Sequence, residues 1–408
     1  MLFRYKNKDF LSFSGTYTMS KLVAIFFLFV LSFQVSGQNY AEPHEVSTSA
    51  PVIPAAQARS IDGIARFINT HYKSPQDKVK AIYQWLTSNI AYDVQALSRM
   101  PLYYEKQSLI AQTLITRKAV CQGYAEVFHE LCAKTGIPSY LITGFVVPRG
   151  TSAPMSHAWC AANLGGQWYL FDPTWGAGMV ERGKFVPRIN PKYYMVSPAK
   201  MVQTHLPFDP LWQFLAQPLT YQEFLTSRGA APQPRPVFHF KDSLATYEAS
   251  SEKAQLTGAI RRIEIQPTIP AVALDQLNHL KKNLSVVREN ETIDLYNEAV
   301  VSFNTGIEQL NQFIQYRNNR FQPIKPDQEL RQMTNDLNSQ FSQTKRLLQK
   351  IKPADNTNLF LSLQNMKAMV EKAFVQVAKQ EIFLKRYLKT PASQRHTLFY
   401  RQALADKN

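Results

Sequence analysis

Three polar residues constrain this chain more than any other feature: Cys121 opening an amphipathic stretch, His157 on a strand-like run, and Asp172 at the end of the next run. A thiol, an imidazole and a carboxylate in such an arrangement are the parts of a thiolate nucleophile, its general base and the group that orients the base. Past Cys121 the apolar residues Tyr124, Val127, Phe128, Leu131 and Cys132 recur on one helical face, so the spacing predicts a helix that begins at the cysteine. At that end the macrodipole and the unpaired first-turn N–H groups favour a thiolate. Gln122 and Gly123 share the turn with the sulfur and are read as substrate contacts, the glycine because its bare backbone lets a substrate chain lie close. Thr135-Gly136 before Pro138 closes the helix.

His157 and Asp172 belong to a hairpin. Residues 156–164 and 167–171 are rich in aromatic and aliphatic side chains and meet at Gly165-Gly166, a dipeptide suited to a tight primed turn. If the two glycines form the loop, Asp172 faces Trp159 and lies diagonal to His157. If the turn is centred on Leu164-Gly165, Asp172 faces His157 directly. Either register puts imidazole and carboxylate on one face, because strand side chains alternate. Trp159 and Trp175 are read as walls of the site, with core packing as the competing reading.

These residues carry a resemblance. Lys118-Ala119-Val120-Cys121-Gln122-Gly123-Tyr124-Ala125, Ser156-His157-Ala158-Trp159 and Trp168-Tyr169-Leu170-Phe171-Asp172-Pro173-Thr174-Trp175 look like the three signature blocks of the transglutaminase-like superfamily. The helical lead-in over 61–92 is similar to that family's approach to its catalytic helix, and the likeness covers about 61–175. It implies an α+β, papain-like core in which a helix packs on an antiparallel sheet, with Cys121 as nucleophile, His157 as base and Asp172 as orienter. The superfamily includes crosslinking enzymes, peptidases, amidases and inactive members, so the acyl acceptor stays open between water and an amine. No Asp/Glu-rich loop has calcium-ligand spacing, so neither a metal nor another cofactor is expected. The backbone N–H of Cys121 is the one oxyanion donor that can be assigned.

The remaining cysteines and histidines read structurally. Cys132 is too far along the same helix to bridge to Cys121. Cys160 has the opposite strand parity to His157, so Cys132 and Cys160 form either a bridge in an oxidising compartment or two buried thiols. His129 reads as a helix-surface residue. His205, in Thr204-His205-Leu206-Pro207-Phe208-Asp209-Pro210, reads as part of a structural turn in preference to a cleft rim.

Lys21, an apolar run over 22–33 and small residues Ser36 and Gly37 have the layout of a secretory signal peptide at 1–37, with Met19 as an alternative start. The run is short for a membrane span, so no transmembrane segment is expected in the mature chain. Export to the cell envelope or beyond follows. The formal charge is +16, and cleavage after Gly37 would remove Arg4, Lys6, Lys8, Lys21 and Asp9, leaving about +13. Such a balance attracts anionic surfaces. An exported chain with scattered basic residues and no aromatic platform is not expected to bind nucleic acid.

A loose lead over 38–60 precedes a catalytic domain at 61–227. A Pro- and Ala-containing linker at 228–237 then gives way to a helical domain at 238–408. There Val300, Phe303, Ile307, Leu310 and Ile314 repeat at heptad spacing, as do Leu359, Leu363, Met366, Val370, Ala373 and Val377. With a less regular stretch over 330–351, and breaks at 323–326 and at Pro353, the pattern predicts three antiparallel helices in a bundle. Residues 259–265 are expected as a short strand. The expected function is that of an exported cysteine acyltransferase or hydrolase acting on peptide or carboxamide bonds of an envelope-associated peptide or protein. The alternative is a non-catalytic envelope scaffold that keeps the fold.

Overall fold

A computed structural model describes residues 50–96, 105–148, 153–226, 235–352 and 357–399. The expected signal segment, most of the linker and Pro353 lie outside them.

Helix α1 (Ile61–His71) starts at Ser60, whose hydroxyl accepts from the Gly63 N–H at 3.1 Å. Helix α2 (Pro75–Asn89) starts at Ser74, with a proline in its first turn and Asp77 returning to the cap. Strand β1 (Ala91–Tyr92) runs parallel to β2 (Lys118–Ala119), which follows α3 (Lys106–Thr116). The chain leaves α3 through Arg117 in the left-handed region, φ 57°, and this turn delivers it to β2 and then to α4 (Cys121–Lys134). All five apolar residues of the expected stripe on α4 are fully buried. Gly136, φ 78°, ends the helix while Ile137 N–H returns to the Cys132 carbonyl at 2.9 Å.

Strands β3 (Ser139–Val146), β4 (Met155–Leu164) and β5 (Gln167–Phe171) follow. Gly165 and Gly166 both have positive φ, and the ladder pairs Leu164 with Gln167 and Cys160 with Phe171. The two-glycine register therefore holds, and Asp172 comes one residue past the last pair, level with Trp159. Next come α5 (Pro173–Ala177), the hairpin of β6 (Gly178–Glu181) with β7 (Lys184–Pro187), α6 (Pro198–Met201), β8 (His205–Pro207) and α7 (Tyr221–Thr226). Strand β8 adds antiparallel to β3, which gives a four-stranded sheet of order β5-β4-β3-β8. This is the expected antiparallel sheet with the cysteine-bearing helix packed on it. Cys132 and Cys160 are two buried free thiols, and the Cys160 thiol points at the Ala125 carbonyl of α4. His129 is half-buried and bonded to Ser139, not simply on the helix surface.

The rest of the described chain is helical: α8 (Phe240–Glu248), α9 (Glu252–Glu264), α10 (Ala271–Asn318), α11 (Asp327–Lys350) and α12 (Thr357–Lys389). The strand expected at 259–265 is the end of α9. Ser251 caps that helix, and Leu256, Ile260 and Ile263 form one helical stripe that packs on Phe145, Leu206 and Phe208. Arg262, from the same helix, makes two 2.7 Å bonds to Asp209. The first turns of α10, through Ala273 and Leu277, join this apolar cluster beside β8. Its far half, through Phe303 and Leu310, forms a second core with Leu337 and Phe341 of α11 and Val370 and Val377 of α12. Apart from Leu359, both heptad stripes therefore face this three-helix core, although Val300, Ile307 and Ile314 are only partly buried. Among the described residues no helix is long and apolar enough to cross a membrane.

The Phe341 ring is fully buried against Gly306, where an added Cβ would come within 2.8 Å of it. Phe341→Ala is expected to destabilise the chain by about 3–5 kcal/mol. The check is a lower urea midpoint with an unchanged slope.

Candidate active site

Val120 precedes α4 in an extended conformation and offers no capping side chain, so the positive end of the helix is directed at Cys121. Cys121 is partly exposed, whereas Asp172 and His205 are wholly buried and His157 nearly so. His157 Nε2 donates to Asp172 Oδ2 at 2.8 Å. Cys121 is near enough to help hold the same imidazole charged. With Nε2 committed to the carboxylate, Nδ1 is the nitrogen left for the sulfur.

Asp172 also caps α5. Its Oδ1 accepts from the Thr174 and Trp175 N–H groups at 2.9 and 3.1 Å. Its own N–H donates to the Tyr193 carbonyl at 3.0 Å. Asp-Pro thus does two things at once: the proline stops β5 and starts the helix, and the carboxylate is fixed at the junction. A second histidine completes the group. His205 Nε2 donates to Oδ2 at 3.0 Å, and its Nδ1 lies 2.7 Å from the Thr204 hydroxyl. His205 was expected in a structural turn, but it is a strand residue inside the site. The pairing of β8 with β3 spans some sixty residues of sequence, and no local pattern encodes it. The one available signal was His205 alternating with apolar Leu206 in a segment otherwise suited to burial.

The four residues expected to contact substrate separate into two pairs. Gln122 and Trp175 are partly exposed, and Gln122 is bonded to Glu126 at 3.1 Å. Gly123 and Trp159 are buried. An added Cβ on Gly123 would meet Thr113 Oγ1 at 2.7 Å and the Ala119 Cβ at 2.8 Å, so the glycine is there to let α4 approach α3 and β2. The Trp159 ring lies 5.2 Å from His205 and that of Trp175 4.6 Å from it, which encloses the histidine pair in aromatic surface. Tyr92, on β1, is a neighbour that sequence reasoning did not assign. Burial raises its phenol, and the charges of Cys121 and Asp172 raise it further.

Burial opposes charge on His157, but the Asp172 carboxylate, by charge and hydrogen bond, and then Cys121 push it up to about 10. Burial likewise opposes ionised Asp172, yet the two histidines hold the carboxyl well below its usual range. Burial drives His205 down against the opposing pull of Asp172, and the charge of His157 adds to the lowering, so it stays neutral. The three ligating atoms of His157, Asp172 and His205 lie within 4.8 Å of one another, the one such cluster among the described residues that could hold a metal ion. In the hydrogen-bonded arrangement each Nε2 carries a proton, so no nitrogen lone pair faces a cation.

Residues 62–173 match the family model of the transglutaminase-like superfamily. The kyphoscoliosis peptidase of Mus musculus is 28% identical over 233 residues, which are 55% of this chain and 34% of that protein. The Homo sapiens kyphoscoliosis peptidase is 27% identical over 230 residues, 54% of this chain and 34% of that one. The chain spans about a third of the length of these curated relatives. A candidate cysteine protease from Cytophaga hutchinsonii, known as a crystal structure, is 22% identical, with a TM-score of 0.24, over 33% of this chain and 43% of that one.

The two charges of the His157–Asp172 pair fix a pH window. The contribution of Asp172 to stability is present above the ordinary carboxyl range near pH 4 and lost as pH falls through its depressed value. That of His157 is complete below the ordinary imidazole value of 6.5 and lost as pH rises towards about 10. Between pH 6.5 and 10 the Tm of the native chain is therefore expected to fall further than that of His157→Gln, as followed by thermal unfolding.

Proposed function

From residues 62–173, which form a transglutaminase-like domain, we propose a cysteine-dependent acyl transfer or hydrolysis on peptide or carboxamide bonds. The observation that carries the reading is the buried 2.8 Å bond from His157 to Asp172 beside a cysteine at an uncapped helix start. The Cys121 thiolate attacks the carbonyl carbon, and the oxyanion faces the first-turn N–H of α4. The C–N bond then breaks as His157 gives its Nδ1 proton to the leaving amine. Asp172 holds the ring and stabilises its charged form throughout. The remaining thioester is opened by water, giving hydrolysis, or by an amine, giving a crosslink, with His157 taking the incoming proton. Gln122 and Trp175, the two partly exposed neighbours, contact the substrate; Gly123 and Trp159 support the site from behind.

The substrate is a peptide or protein of the cell envelope, and the basic and apolar segment over 21–33 directs the chain there. Amino-terminal sequencing of the exported protein should begin at Gln38. A cell-associated chain that retains the segment would remove the basis for export.

Iodoacetamide at about pH 6 should alkylate Cys121 faster than a free cysteine, whose thiolate is scarce there. Cys121→Ala should lower product formation at least about 10³-fold. A fluorescent amine incorporated into envelope protein identifies amine as the acceptor, whereas cleaved peptides identify water. Alkylation no faster than that of free cysteine, together with full cellular function of Cys121→Ala, would leave a non-catalytic scaffold as the surviving account.

A further inference from the structure

We infer that His205 is a positioning residue of the site, holding Asp172 by its Nε2–H so that one carboxylate oxygen stays aimed at His157. The inference rests on the function proposed above and adds a fourth member to the group. A carboxylate offers about four acceptor positions. Asp172 has four donors, two on each oxygen: Thr174 N–H and Trp175 N–H on Oδ1, His157 and His205 on Oδ2. The first two come from the backbone of α5, so they fix the position of the carboxylate and cannot adjust. His205 arrives from the opposite edge of the sheet and holds Oδ2 against rotation away from His157.

The tautomer of His205 is set on its other side. Nε2 must carry the proton to donate to Asp172, so Nδ1 is an acceptor and the Thr204 hydroxyl at 2.7 Å donates to it. A second positive charge beside His157 would weaken the ion pair, and a neutral donor avoids it. The rings of Trp159 and Trp175 surround His205. Among the described residues the titratable groups facing the cluster from elsewhere are Cys121 and Tyr124 of α4, Cys160 of β4, Tyr83 of α2, Tyr92 of β1 and Tyr193 after β7. Burial raises the phenols of Tyr83, Tyr92 and Tyr124, which therefore remain neutral through the working range.

The test is the rate of Cys121 alkylation by iodoacetamide against pH in the full chain, with the labelled site identified by peptide mass spectrometry. It needs no substrate, and Cys132 and Cys160 are buried out of reach. His205→Gln places an amide N–H near the position of Nε2, His205→Asn is too short to reach, and His205→Leu has no donor. With the donor lost, Asp172 takes up a proton more readily, the imidazolium loses its counter-charge, and the thiolate forms at higher pH. The acid limb of the profile should move up by about one pH unit in Leu and Asn, which is about a tenfold slower reaction at pH 6. Gln should restore most of the native rate. Leu and Asn profiles that coincide with the native one, in chains with native circular dichroism, would overturn the role. So would a Gln variant as slow as Leu. If Leu fails to fold, equal rates for Gln and Asn overturn it. A native chain that shows no alkylation below the free-thiol range sinks the nucleophile itself, a result separate from any comparison among the variants.

Discussion

An ionised carboxylate sealed from water is tolerated only where its acceptor positions are filled, because each unmet one carries a desolvation cost of kcal/mol size. Asp172 meets that demand with donors from three separate elements, and much of the core is arranged around it. Strand β5 ends at it, α5 begins on it, β4 supplies one histidine and β8 the other. The sheet order follows from the same need. With β8 on the far side of β3, His205 lies on the face of the sheet that carries His157 and Trp159. Remove the charge, and three elements lose the group that joins them.

The sulfur is placed by different means. No side chain caps α4, and its first residue is Cys121. The helix can begin there because Arg117 turns the chain out of α3 and the short parallel pair β1–β2 aligns it. Gly123 then lets the first turn of α4 press against Thr113 and Ala119. These features anchor the cysteine through backbone and packing, and its side chain stays partly exposed.

What could be read from the residues was local. The helix at Cys121 showed in its apolar spacing, and the hairpin register showed in Gly165-Gly166, since two positive-φ positions admit few other residues. The break between α10 and α11 showed in the prolines at 323 and 326. What could not be read was set by partners distant in the chain. His205 owes its role to an edge strand paired with β3, and the roles of Gly123 and Trp159 depend on neighbours that no spacing reveals. Residues 259–265, expected as a short strand, hold three β-branched isoleucines. The Ser251 cap and an apolar cluster with Leu206 made that segment helical instead. Propensity gave way there to packing.

Helix α10 runs unbroken for 48 residues, about 70 Å, and serves as a wall for two apolar clusters. Its first turns cover the strand that bears His205; its last turns hold α11 and α12. Neither cluster can melt without stripping the other of a shared beam, so heat or denaturant should meet a single cooperative block where two independent melting units would otherwise be expected. The helical half is thereby coupled in stability to the strand beside the carboxylate.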